Sequence, residues 1–570
     1  MTRTARESLT VTRLTGGERT GQDERVHLLA VSHADPSVPD RVELPDGSLA
    51  QGGFTVLLNR EPRAAHGDVT PADVAGWLVT GPEAFGLVTP PFAAAHRAAE
   101  TEPVVAVTDY LGFRQVYWWQ GSGVAGISTS APALAGVAGA GLDHDALGVQ
   151  SLLGWQLGDA TPFAGVSKVP AGHYARLHRG TVELVRYDID RTEEPRGRQA
   201  TAVEAAGLLR EWLVRYLDEH EDPVLQLTGG HDSRILLGAI PSNRRRGLHT
   251  LTLDSQGGRD APIAGALSAR YKMVHQVFDT SSLTGLSAAE GHALATAAAL
   301  RLDCSANPLA LAPLSAAESQ LPQGRRLSGL GGEVARGFYY GAQPSGATTA
   351  HLAERFARWR LFTNEAVDRD ALVPEFTEAA EKYTIGLVTA QLTSYGDQWL
   401  RSLDEFYLWQ RMQRWGGVHG TVAAVDRVFL NPMFDRRFIE LARAADPADK
   451  RDSRLLAAIM RELDLELAVI RLDSGRSPNQ LAKGRGNWRA TARKAVGKVA
   501  QRVAGSRRSP LGAPLLSRLV VDHWRANRGL LDGLPDLVRP SYVAELLDGR
   551  RPGDPHTVAF LLNLLAAPKP

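Results

Sequence analysis

The chain has 570 residues, 44% of them hydrophobic and 22% charged, with a net charge of +1. That is an ordinary globular balance for two or three domains, with no charge excess to draw nucleic acid and no run of membrane-helix length. The one cysteine, Cys304, excludes an intrachain disulfide framework and a cysteine-rich zinc centre.

Residues 1 to about 22 are polar. Arg3, Arg6, Arg13 and Arg19 interrupt any apolar core there, so no signal peptide is expected and the cytoplasm is the default compartment. From Val26 to about Tyr187 short strands predominate. Val26–Val31, Phe54–Leu58, Val104–Thr108, Gln115–Trp119, Gly126–Ser130 and Tyr174–Leu177 are β-prone runs parted by Gly, Pro and Asp turns. Helices are expected over Pro71–Val79, with Thr70 as N-cap and Pro71 in the first turn, and over Asp143–Leu153. This predicts an α+β layer structure.

Two stretches in this region carry a family likeness. Thr108-Asp109-Tyr110-Leu111-Gly112-Phe113-Arg114-Gln115-Val116-Tyr117 resembles the D-x-x-G-x-x-P-L-Y segment of the N-terminal domain of asparagine synthetases. Phe163-Ala164-Gly165-Val166-Ser167-Lys168-Val169-Pro170-Ala171-Gly172-His173-Tyr174 resembles the segment that closes that domain. In glutamine-dependent members the nucleophilic cysteine follows the initiator Met. Here Thr2 follows Met1, and Arg3-Thr4-Ala5-Arg6-Glu7 does not match that start, so no glutaminase activity is expected. The resemblance then implies that residues 1–195 are a degenerate glutaminase-like scaffold, as in β-lactam synthetases and lasso-peptide cyclases. Asp188 to Gln199 is charged and reads as a linker. Val203–Leu217 follows as an amphipathic helix whose stripe of Leu208, Leu209, Trp212, Leu213 and Tyr216 is core.

Val224–Leu227 is a short apolar strand, Thr228-Gly229-Gly230-His231-Asp232 a turn, and Ser233–Ile240 a helix. Strand, glycine turn and helix N-terminus together suit phosphate: the glycines let amides approach the anion and the helix adds its dipole. The Thr228 and Ser233 hydroxyls can donate to phosphate oxygens, whereas Asp232 would repel them. Its reading is a Mg2+ ligand, since that ion joins carboxylate to phosphate. The absence of a lysine after the glycines excludes the GxxxxGK[ST] loop. The stretch resembles the SGGxDS pyrophosphate loop of N-type ATP pyrophosphatases, with Thr228 in place of the first serine.

Downstream, the strand Leu248–Thr252, a helix over Ala261–Tyr271 and the strand Val274–Phe278 alternate, arguing a parallel sheet with ligands outside the strand C-termini. The resemblance makes the backbone of Leu253 and Asp254 candidate adenine contacts. Asp260 reads as a helix cap or a ligand. Ser328-Gly329-Leu330-Gly331-Gly332-Glu333 resembles the family's S-G-x-G-x-D loop, whose acid shares the Mg-pyrophosphate. Ser328, Gly329 and Gly331 are thus candidate pyrophosphate contacts, and Glu333 a second metal ligand, one methylene longer than the usual Asp.

From about Ala350 the chain reads as helical. Over Asp404–Trp415, Tyr407, Arg411 and Trp415 share a face. Either this helix is packed with Arg411 in an ion pair, or it walls a substrate pocket with Glu405 as a base for the amine. Asn431-Pro432-Met433-Phe434-Asp435 resembles the family's R-x-P-F-L-D turn, with Leu430 at the Arg position. Two further family positions differ. Leu330 stands where β-lactam synthetases have a catalytic Tyr. In Arg471-Leu472-Asp473-Ser474-Gly475-Arg476, Asp473 stands at the catalytic lysine, leaving Arg476 or Lys483 to supply the charge. The basic run Asn487–Val503 is a solvated helix face or a lure for an acidic peptide, with no aromatic interleaving for nucleic acid.

The resemblance as a whole implies an ATP- and Mg2+-dependent amide ligase, its ATP-binding part spanning 196–570. Its substrate would be a peptide or small-molecule carboxylate and amine. A lasso-peptide macrolactam cyclase, with a leader-binding protein and a peptidase as partners, is the specific expectation. A β-lactam-forming or other amide ligase, an ammonia-dependent asparagine synthetase and a non-catalytic scaffold are the alternatives. Neither nucleic acid nor membrane is expected as a partner.

Overall fold

Val104, Ala106, Ala93 and Ala95 point one way from their strands and are buried, as are Ala30, Ala125 and Ile127 from another set. Strands with one apolar face must bury it, and two such sheets close on each other here through a shared core. The computed structural model describes residues 28–65, 67–188, 194, 196–254, 258–279, 281–319, 324–483 and 510–569. The expectations for Thr2, for the start of the first strand, for half of the 188–199 linker and for the basic run 487–503 lie outside the described residues.

The first sheet holds β1 (Leu29–His33), β2 (Arg41–Glu43), β9 (Tyr117–Gln120), β10 (Val124–Ser128) and β11 (Ser167–Lys168), in the order β11-β9-β10-β1-β2. The second holds β3 (Phe54–Leu57), β7 (Ala93–Arg97), β8 (Val104–Thr108), β12 (His173–His178) and β13 (Thr181–Arg186), in the order β13-β12-β8-β7-β3. Their pairings are antiparallel. A small sheet of β4 (Arg63–Ala64), β5 (Gly67–Asp68) and β6 (Val88–Thr89) sits beside helix α1 (Pro71–Thr80). Thr70 and Asp73 cap α1 reciprocally, as the Thr-Pro start suggests. β13 pairs with β12 in a hairpin that sequence reading left out: its exposed Glu183 and Arg186 dilute the apolar signal.

A long helix, α2 (Arg198–Glu219), leads into a five-stranded parallel sheet. Its strands are β14 (Pro223–Gln226), β15 (His249–Leu253), β16 (Val274–Phe278), β17 (Arg325–Leu327) and β18 (Phe429–Leu430). Their order is β16-β15-β14-β17-β18, and every pairing is parallel. The chain leaves β14 toward β15 on one side and later reaches β17 on the other. The C-terminal end of β14 is therefore a topological switch point, where the flanking loops part and leave a crevice.

Beyond residue 350 the helical expectation holds apart from β18, whose two residues are too few to read as a strand. The segment expected as a plain helix over Asp404–Trp415 changes register. It is α-helical over Trp399–Phe406 and then π-helical over Tyr407–Gly416. Arg411 ion-pairs with Glu365 at 3.5 Å and lies over the Trp155 and Trp415 rings, in line with the packed reading of this helix. No helix among the described residues is long and apolar enough to cross a membrane.

Candidate functional site

Two loops meet in the crevice at the end of β14. The first runs from Thr228 into helix α3 (Asp232–Ala239), which buries Ser233 through Ala239 and ends at Ile240, before Pro241. The second leaves β17 through Ser328 and turns through Gly331, at φ 108°, into a 3-10 segment, Gly332–Arg336. The loops touch closely. A Cβ on Gly329 would lie 2.6 Å from the Ser233 amide nitrogen, and one on Gly332 would lie 2.3 Å from Asp232 Oδ1.

That contact brings Asp232 and Glu333 to one cation. Arg336 Nη2 lies 3.6 Å from Asp232 Oδ2 and 3.2 Å from Glu333 Oε1. Glu333 Oε2 also accepts from the Gly331 amide at 3.1 Å. Asp232 Oδ1 is buried and accepts no hydrogen bond. Burial pushes the Asp232 carboxyl up to about 7; Arg336 opposes this, while Glu333 and Asp473 add to it. Arg336 is itself held above its ordinary value, because Asp232 and Glu333 outweigh its desolvation. A buried, unpartnered carboxylate oxygen next to a second carboxylate is a hard-oxygen donor set that suits Mg2+.

The hydroxyls of the first loop are tied to each other. Ser233 Oγ accepts from the Thr228 amide at 3.0 Å and lies 3.0 Å from Thr228 Oγ1. The Gly230 amide donates to Thr228 Oγ1 at 3.3 Å. The Gly229 amide donates to Asp260 Oδ1 at 2.8 Å, so that carboxylate reaches across to the glycine loop; the start of its own helix, Asp260–Tyr271, has no side-chain cap. Helix α3 likewise starts without a side-chain cap, which leaves its positive end toward the crevice. His231 is buried with Nδ1 unpartnered. Burial, then Arg336 and Arg234, drive its pKa down to about 3, so its imidazole is neutral.

The segment around Asp473 closes over the same loop. The Asp473 amide donates to Gly229 O at 3.0 Å. Arg234, wholly buried on α3, donates through Nη1 to the carbonyls of Ile470 at 2.9 Å and Arg471 at 3.0 Å. Arg259 Nη1 adds a bond to the Asp473 carbonyl at 3.2 Å.

The structure therefore brings together Thr228, Gly229, Gly230, His231, Asp232, Ser233, Gly329, Gly331 and Glu333. Ser328 borders them, its hydroxyl accepting from the Leu330 amide at 3.2 Å. Leu253 ends β15, and the Asp254 amide is taken by Phe278 O at 2.8 Å, leaving no Asp254 N–H for an adenine. Glu405 is not at the crevice. It accepts from Arg443 Nε at 2.9 Å, from Arg443 Nη2 at 2.8 Å and from Trp409 Nε1 at 2.8 Å, and a carboxylate so paired is a poor base. Trp409 and Arg443 line a cavity of about 290 Å3 together with Tyr110, Asp188 and Arg436, and no residue of the two loops borders it. Arg476 accepts the Leu472 amide through its carbonyl, and Lys483 is exposed past the end of a short helix.

Sequence reading missed Arg336 and Arg234, and took Asp260 for a cap or a ligand where it holds the Gly229 amide. Both missed residues left a signal. Arg336 follows Glu333 by three residues, an ion-pair spacing on a helical turn, and Arg234 is a charge in an apolar helix that must find partners. A group of three possible metal ligands elsewhere, Asp68, Glu219 and His220, already has a cation: Arg63 Nη1 lies 2.9 Å from Asp68 and 2.6 Å from Glu219. No protein-family model matches the chain, and no curated protein matches it.

Proposed function

We propose that the protein is an ATP-dependent amide-forming ligase that activates a carboxylate by adenylation. One observation carries this reading: Asp232 and Glu333, from loops at the ends of neighbouring parallel strands, converge on a single cation in the switch-point crevice. Two converging carboxylates beside an uncapped helix start suit Mg2+ on a polyphosphate far better than a bare anion. In that reading Asp232 and Glu333 hold the metal. Thr228, Ser233 and the first amides of α3 face the pyrophosphate. When bound, Mg2+ neutralises charge that develops on the leaving pyrophosphate.

A substrate carboxylate oxygen attacks the α-phosphorus, and the bond from that phosphorus to the bridging oxygen breaks as pyrophosphate leaves. A substrate amine then attacks the acyl carbon, loses a proton and expels AMP. The chain contributes position and charge at each step. An amine within the same substrate fits best, which makes a peptide macrolactam cyclase of the lasso type the specific proposal. β-Lactam-forming and ammonia-dependent asparagine-forming ligases use the same first step.

A second reading is favoured by the Asp260 bond to Gly229 N and by Asp473 at the lysine position: a scaffold that keeps the fold without the chemistry. Calorimetry of Mg-ATP with wild type, Asp232→Ala and Glu333→Ala decides between them. The ligase reading expects Mg2+-dependent binding weakened about tenfold or more by either change. Folded protein that binds no Mg-ATP under any condition would leave the scaffold.

A further inference from the structure

Arg336 sits where the proposed function puts a metal. One of its nitrogens reaches both carboxylates, at 3.6 and 3.2 Å. The contact is loose. Neither distance is that of a short charge-assisted hydrogen bond, and the Arg336 Nε is buried without a partner. The side chain keeps 28% of its surface exposed, so it has room on one side. Its turn is bounded by Gly331 at φ 108° and Gly337 at φ 60°, two residues whose backbone tolerates rearrangement poorly once a side chain is added.

The guanidinium also touches an aromatic face. Its carbon lies 5.7 Å from the centre of the Phe338 ring, and Phe338 packs on Tyr407 with ring centres 4.6 Å apart. An arginine over an aromatic face keeps its charge stabilised without a carboxylate. The local charge needs such a cation, because Asp473 adds a third carboxylate where the resemblance leads one to expect a lysine. A divalent ion and a guanidinium repel, so both cannot hold the same two carboxylates.

We infer that Arg336 is a place-holding cation: it keeps Asp232 and Glu333 together while no metal is bound, then yields them to a divalent ion and turns its charge to the ligand's phosphate. The inference rests on the proposed assignment of these two carboxylates to a metal. Arg336 thereby takes up the work that Arg476 or Lys483 was expected to do, through a swing rather than a fixed contact.

Binding of Mn2+ to the full-length protein, followed by electron paramagnetic resonance of the free ion, tests this. It is done without nucleotide and again with α,β-methylene-ATP, and melting curves confirm that each variant is folded. Arg336→Gln is expected to tighten Mn2+ alone by about tenfold, since a competing charge is gone, and to weaken the Mn2+–nucleotide complex by about tenfold. Arg336→Lys should lie between wild type and Arg336→Gln on both scales. A merely structural arginine would move both affinities the same way, or neither, and either result overturns the inference. Asp232→Asn and Glu333→Gln separate the two levels. If these weaken Mn2+ binding while Arg336→Gln does not tighten it, only the role of Arg336 fails. If they leave Mn2+ binding intact, the metal assignment fails and the inference falls with it.

Discussion

At the scale of single residues, the glycines of the crevice serve loop-on-loop packing as much as ligand approach. Gly229 spends its amide on Asp260. Gly329 and Gly332 have no room for a methyl group, but what each would strike differs. At Gly329 the obstacle is backbone, the Ser233 nitrogen at 2.6 Å and the Asp232 carbonyl carbon at 2.7 Å. At Gly332 it is the Asp232 carboxylate, which can rotate away. Gly329→Ala should therefore cost stability, on the order of 1–3 kcal/mol, by pushing the loops apart. Gly332→Ala should leave the melting temperature nearly unchanged yet weaken Mg-ATP binding about tenfold by displacing a metal ligand. Melting curves and calorimetry on the two variants check this; equal losses of stability would refute the distinction.

At the scale of elements, α3 is more than a helix that offers its N-terminus. Its second turn is apolar, and Ile235, Leu236 and Leu237 are fully buried. Arg234 goes down with them and binds carbonyls of the 470–471 segment, so the third loop of the crevice hangs from this helix. Arg234→Met keeps the volume and removes the donors to two part-buried carbonyls, at a cost of about 1–2 kcal/mol. Hydrogen exchange followed by mass spectrometry should show residues 470–476 exchanging faster in the variant, and unchanged protection there would sink the idea. This is also where legibility divides. The strand–glycine turn–helix pattern is a local signal, and the first loop was readable from it; the second loop was singled out by resemblance, because the three-residue β17 ahead of it is too short to read. Glu405 was read two ways because helical spacing fixes a face, not what that face meets; its partner Arg443 is 38 residues away. The π-helical turn over Tyr407–Gly416 and the two-residue β18 have no periodicity of their own to read.

At the scale of the molecule, the antiparallel and helical parts share a polar seam. Gln115 donates its amide to Thr421 Oγ1 at 3.0 Å, Gln413 Nε2 donates to Leu111 O at 2.8 Å, and Arg414 Nη1 donates to Gln115 Oε1 at 3.1 Å. The 108–117 segment singled out from sequence thus lies in this contact, where its Phe113 ring packs against Gly420. Asp303 completes the seam. It accepts from Tyr117 Oη at 2.7 Å and from the Ala131 amide at 2.9 Å. Burial nevertheless pushes its carboxyl up to about 7, against those two hydrogen bonds and the pull of Arg114 and Arg414. A carboxyl raised from 3.8 to about 7 on folding contributes stability below pH 4 that is lost as the pH rises through 7. Asn at this position cannot ionise, still accepts from the Ala131 amide, and offers its own N–H to the tyrosine oxygen. Asp303→Asn should therefore match wild type near pH 4 and gain over it as the pH rises. The gain should level off above pH 7 at on the order of 2–4 kcal/mol. Melting temperatures of both proteins across pH 4 to 8 measure it. A difference that does not change with pH would mean that Asp303 is ionised throughout, held by Arg114 and Arg414 more strongly than burial opposes them.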